Sequence, residues 1–168
     1  ISKVVFCDPA CQANFRTTAN YGNKAPAFEM EHITEFLLPI LQQKHGLLRP
    51  LEGKGNVAYH DPSFLARHLR IHNEPREILK MVVGSNLTEM FRNRLNTFCS
   101  GGELLVKAAF PEVALSAAKT RLQEAEAAGA DTLVCADPHD YRHFLDVESD
   151  IKIMDLMQVL LESLEGGN

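Results

Sequence analysis

The chain has 168 residues, 45% of them hydrophobic and 23% charged, with a formal net charge of −5. Such a composition excludes a disordered, collagen-like or mucin-like polymer, and the negative balance argues against a general nucleic-acid binder. No apolar run approaches the ~20 residues needed to cross a bilayer, so no direct membrane insertion is expected.

The predicted elements alternate between strand and helix. Lys3-Val4-Val5-Phe6 reads as a strand, followed by a helix over 9–19. Phe28-Glu29-Met30 is a short strand leading into an amphipathic helix with Ile33, Phe36, Leu37, Ile40 and Leu41 on one face. Asn56-Val57-Ala58-Tyr59 is the next strand, with helical pieces over 62–72 and 74–82 and a strand over 87–90. The longest helix covers 111–128, and Gly129 stands where a helix stop belongs. A strand at Thr132-Leu133-Val134-Cys135, a helix over 138–147, a strand at Ile151-Lys152-Ile153 and a helix over 155–164 complete the chain. Strands alternating with helices predict an α/β protein, a Rossmann-like, mostly parallel sheet with helices on both faces.

An internal repeat adds to this. Val4-Val5-Phe6-Cys7-Asp8-Pro9-Ala10-Cys11 and Leu133-Val134-Cys135-Ala136-Asp137-Pro138-His139-Asp140 each read as an apolar strand, Asp-Pro, one residue and a potential ligand. Residues 1–50 are expected to be the carboxyl-terminal part of an upstream repeat and 56–168 a complete second one, with the seam at Gly53-Lys54-Gly55. The missing initiator Met likewise reads as a processed chain or a fragment. A third Asp-Pro, Asp61-Pro62, precedes Ser63. Each Asp-Pro opens a helix, so capping explains all three. The carboxyl ends of parallel strands also share one edge, where ligands bind, and this would bring Cys11, Ser63, Asp137 and Asp140 to that edge. The loop Phe98-Cys99-Ser100-Gly101-Gly102 is the other candidate, since small residues let backbone N–H groups face a ligand. Cys7 and Cys135 read as strand-end core residues. Four scattered cysteines are too few for a disulfide framework and suggest a reducing, cytoplasmic setting.

The ordered series Tyr59-His60-Asp61-Pro62-Ser63, Pro75-Arg76-Glu77, Phe98-Cys99-Ser100-Gly101-Gly102, Gly129-Ala130-Asp131-Thr132 and Asp137-Pro138-His139-Asp140 resembles the cysteine-rich CCG domain. That domain occurs, in two tandem copies, in the cysteine-rich subunit of heterodisulfide reductase and in iron–sulfur subunits of glycolate, lactate and glycerol-3-phosphate oxidising systems. The resemblance implies an electron-transfer oxidoreductase module, a 4Fe-4S cluster and partner subunits of a redox complex, which could place it peripherally at a membrane. The family's thiolate positions fall here on Ser63, Cys99, Ser100, Asp137 and Asp140, so one of five is still cysteine. Iron–sulfur clusters need soft sulfur ligands, so the resemblance implies a module whose own cluster site is lost. The upstream elbow, Asp8 with Cys11, keeps one cysteine of its pair.

Two further readings compete. His139 and His143 stand i, i+4 and with Asp140 could hold a single metal ion of a hydrolase, although surface histidines and a capping aspartate explain the same residues. Alternatively, the module is a cofactor-free piece that holds subunits together, a homo-oligomer included, through the segment carrying Arg67, Arg70, Arg76, Lys80, Arg92 and Arg94. That segment otherwise reads as a solvated helix face. No phosphate-binding loop, dinucleotide fingerprint or nucleophile elbow is present in the sequence.

Overall fold

A computed structural model describes residues 1–17, 27–44, 46–51, 53, 55–103 and 106–165. The end of the first predicted helix, His45, the middle of the expected seam and the last three residues lie outside them. The described elements are β1 (Lys3–Phe6), α1 (Pro9–Arg16), β2 (Glu29–His32), α2 (Ile33–Gln43), β3 (Val57–His60), α3 (Glu74–Val83), β4 (Leu87–Thr88), α4 (Val106–Ala109), α5 (Pro111–Ala127), β5 (Thr132–Cys135), α6 (Pro138–Phe144), β6 (Lys152–Asp155) and α7 (Leu156–Glu165). All strand pairs are parallel. One sheet has the order β4-β3-β5-β6, and β1 pairs with β2 separately.

Period-two alternation explains the two-sided burial of the larger sheet. Val57, Tyr59, Val134 and Met154 enter one core with Leu41 of α2, Ile78, Leu79 and Val82 of α3, and Val159 and Leu160 of α7. Ala58, Leu133 and Cys135 enter the other, with Ala118, Leu122 and Ala125 of α5 and Phe144 of α6. The α/β class, the parallel sheet and the helices on both faces are therefore as expected from the sequence.

Local chemistry moves some predicted boundaries. The strand expected over 87–90 ends at Thr88 because Glu89 turns to the Arg76 guanidinium, 2.7 Å away, and the Met90 carbonyl accepts from Asn93. The helix expected over 62–72 is a single π-helical turn, Phe64–His68, closed by the Leu69 N–H on the Phe64 carbonyl at 3.0 Å. It stops before Arg70, whose φ is 65°. Cys135 is fully buried as expected, but Cys7 is exposed: it follows the last β1 residue, and among the described residues β1 pairs with β2 alone.

The segments β1-α1-β2-α2 and β5-α6-β6-α7 share element order and register, with Phe6 opposite His32 and Cys135 opposite Asp155. Their caps correspond as well. Asp8 caps α1 by accepting from the Cys11 N–H at 2.9 Å, and Asp137 caps α6 by accepting from the His139 N–H at 2.7 Å. At α2, His32 accepts from Thr34 while Glu35 accepts from the His32 N–H at 2.9 Å. At α7, Asp155 accepts from Met157 and Gln158 accepts from the Asp155 N–H at 3.0 Å. Reciprocal capping of this kind fixes where each helix starts.

Candidate functional site

The carboxyl edge of the larger sheet gathers three loops: the turn after β3 (His60, Asp61 and Ser63), the loop around Cys99 and Ser100, and the elbow after β5 (Asp137 and Asp140). Asp140 is fully buried and sits at their junction. Its Oδ2 accepts from His60 Nε2 at 3.0 Å, and its Oδ1 accepts from the Ser100 hydroxyl, which in turn accepts from the Gly102 N–H at 2.9 Å. Behind His60, Arg121 Nε donates to His60 Nδ1 at 2.9 Å, so the ring proton is on Nε2, facing Asp140. Burial lowers the His60 pKa despite Asp140, with Arg121 pushing the same way, and the imidazole is neutral. The order is thus Arg121, His60, Asp140, Ser100, a chain of bonds through the core.

Asp137 and Glu103 lie beside this chain. Ligand-type oxygens of Glu103, Asp137 and Asp140 all lie within 4.8 Å of one another, and all three residues are buried. Burial first, and the neighbouring Asp140 charge second, raise Asp137 to about 8 and Glu103 to about 7. Glu103 Oε1 faces the Phe64 N–H at 3.4 Å, next to Ser63. Ser63 itself accepts from Arg67 Nη2 at 2.8 Å, and Arg67 Nη1 donates to the Thr97 carbonyl. Cys99, half-buried, accepts from the Gly101 N–H at 3.4 Å through its sulfur.

The loop is held by its glycines. Gly101 has φ +83°, and a Cβ there would lie 2.8 Å from the Ala114 backbone. Gly101→Ala is expected to lose about 2–4 kcal/mol in urea unfolding, left-handed strain plus overpacking. Gly53→Ala, at φ +74° with nothing within 4 Å, should lose only about 1–2 kcal/mol.

Several expected roles need correction. His139, Asp140 and His143 do not form a ligand set. His139 pairs with Asp8 at 3.1 Å and His143 Nε2 faces the Ala114 carbonyl at 3.0 Å, so neither ring is turned toward Asp140. The i, i+4 spacing is real, but His139 lies in the first turn, at the junction with Asp8, while His143 is fully buried under α5. Asp61 does not cap a helix. Its carboxylate receives both terminal nitrogens of Arg76 at 2.6 and 2.7 Å and the Arg94 N–H at 2.8 Å. The arginine segment is therefore not simply a solvated face. Arg76 is buried between Asp61 and Glu89, Arg94 also reaches Glu89, and Arg92 pairs with Glu124. Near Asp8, Cys11 remains exposed, and burial together with the Asp8 and Asp137 charges raises its thiol pKa.

Glu103 and Arg121 belong to no motif in the sequence, and His60 stands out there only as part of the Tyr-His-Asp-Pro series. A signal for Arg121 does exist: Ala114, Ala118, Leu122 and Ala125 define the buried face of α5, and Arg121 falls on that face.

A parallel α/β module with an oxygen-rich cluster of side chains, built where its strands end, is the class of protein that fold and site define. The sequence profile of the cysteine-rich CCG domain matches residues 57–144. The chain belongs to that family. It is 33% identical over 172 residues to a subunit of the dihydromethanophenazine:CoB–CoM heterodisulfide reductase of Methanosarcina barkeri, covering 96% of this chain and 41% of that protein. It is 28% identical over 181 residues to the probable iron–sulfur-binding oxidoreductase FadF of Bacillus subtilis, covering 100% of this chain and 24% of that protein. It is also 30% identical over 109 residues to a subunit of the fumarate reductase (CoM/CoB) of Methanothermobacter marburgensis, covering 62% and 22% respectively. The chain thus spans less than half the length of these relatives, which are iron–sulfur or redox-complex proteins by name. Among the described residues no helix is long and apolar enough to cross a membrane.

An iron–sulfur cluster is the cofactor the family implies, and the donors here do not fit one. Of the five positions that the resemblance aligns with thiolates, Cys99 alone is a thiol; Ser100 and Asp140 are bonded to each other, and Ser63 is bonded to Arg67. Hard oxygen donors suit oxygen-loving cations rather than clusters.

Proposed function

We propose that this chain is the cysteine-rich module of an iron–sulfur oxidoreductase subunit that takes part in electron transfer, with no cluster at its own site. Residues 56–168 form one complete unit in this reading, and residues 1–50 are the carboxyl-terminal part of a preceding one. The electron carrier then resides elsewhere in the parent protein or in a partner subunit, and this unit serves assembly of the redox complex, in the cytoplasm or against a membrane-bound partner. The observation that carries the reading is the Arg121–His60–Asp140–Ser100 chain, which satisfies with protein hydrogen bonds two of the positions where the family places thiolates.

Iron and sulfide analysis of anaerobically purified protein tests it. The expected result is neither element and no visible absorption. A brown protein carrying about four irons per chain would overturn it. The variant Ser63→Cys, Ser100→Cys, Asp137→Cys, Asp140→Cys is expected to take up iron and sulfide on reconstitution where the parent sequence does not.

A further inference from the structure

We infer that Glu103, Asp137 and Asp140 form a binding site for a hard divalent cation of the Ca2+ or Mn2+ type. The inference rests on the reading that no cluster occupies this edge of the fold. Three carboxylates sharing a buried space repel one another, and without a counter-charge each ionisation is opposed by the next. A Ca2+ ion with oxygens at about 2.4 Å spaces opposite ligand atoms by at most about 4.8 Å. The three side chains here offer oxygens within 4.8 Å of one another.

One further observation at the cluster points to a ligand. Asp137 is fully buried; its Oδ1 caps α6, and its Oδ2 has no hydrogen-bond partner. Orphaned buried acceptors are rare in folded proteins and call for a water or an ion. Carboxylate oxygens select Ca2+, Mn2+ or Mg2+ over the softer metals. Glu103 is the member that makes the site new, since it lies outside the five positions of the family's thiolates.

The test uses the full chain stripped with a chelator, then titrated with CaCl2, MnCl2 or ZnCl2 at constant ionic strength. Titration calorimetry and thermal unfolding are the readouts, with iron measured in the same sample. Saturating Ca2+ or Mn2+ is expected to bind at one site and to raise the unfolding midpoint by roughly 5 °C at a hundredfold excess over Kd. Asp137→Asn keeps an N-cap and should abolish both effects, as should Glu103→Gln, whereas Asp146→Asn, in the remote pair with Lys107, should retain them. Iron-free protein that binds neither Ca2+ nor Mn2+, or binding that survives Asp137→Asn and Glu103→Gln, would overturn the inference while leaving the proposed function standing. Tight Zn2+ binding lost on Cys99→Ser, with none for Ca2+ or Mn2+, would also overturn it. Cluster iron in the sample would overturn both.

Discussion

Arg76→Ala is expected to remove about 3–5 kcal/mol of stability, read as a lowered urea midpoint without a change in slope. The guanidinium lies buried against Tyr59 and donates to Asp61 at 2.6 and 2.7 Å, to Glu89 at 2.7 and 2.9 Å and to the His72 carbonyl at 2.6 Å. Asp61 has no comparable route to solvent, since its carboxylate is buried as well. Deleting the cation therefore strands an uncompensated buried anion, which costs more than losing the pair itself. A second substitution checks this cause. Arg76→Ala combined with Asp61→Ala should be more stable than Arg76→Ala alone, and a double variant that is less stable would assign the loss to packing instead.

The second large effect is on acid sensitivity. His32 is buried at the end of β2, and burial lowers its pKa to about 4, although the Cys7 backbone and the Asp8 charge act in the opposite direction. As pH falls, the unfolded chain takes up this proton first, near the ordinary histidine value, and the folded chain resists it. The stability tied to His32 is thus fully present above about pH 6.5 and is lost progressively down to about pH 4, on the order of 3 kcal/mol in total. His60, also lowered by burial, adds a loss in the same direction. His32→Asn retains a side-chain oxygen for the α2 cap but cannot titrate, so its midpoint should fall less between about pH 7 and about pH 5 than that of the parent protein. Equal falls in the two proteins would place the acid sensitivity elsewhere.

The fold was legible because it rests on period. Apolar runs such as Thr132-Leu133-Val134-Cys135, buried on both sides, suit a covered parallel strand, and Asp8-Pro9 and Asp137-Pro138 start helices by local capping where Asp61-Pro62 does not. Edges were less legible wherever a side chain from far along the chain intervenes. β4 ends early because Arg76 claims Glu89, and the segment after Ser63 forms a π-helical turn with no signal in its own composition. At the site, motif order offered Ser100, Asp137 and Asp140 as candidates, and the residues that engage them are far from them in sequence. His60 meets Asp140 across 80 positions, and Arg121 meets His60 across 61. Glu103 looked like any loop acid until its neighbours were in place. Conversely, His139 and His143 matched a metal spacing although one faces Asp8 and the other a backbone carbonyl.

Two β-α-β-α segments of matching register within one chain raise a question of folding fidelity, because either could compete for the flank of β3. The strands themselves hold the discriminator. β5 is buried along its whole length, whereas β1 opens with Lys3, whose ammonium is neutralised by Glu29 and Glu31 of its own partner β2. Docked beside Val57, that lysine would be dragged out of water without its acids, so mispaired chains are penalised at the first residue of the ladder and the nascent polypeptide is sorted toward a single topology.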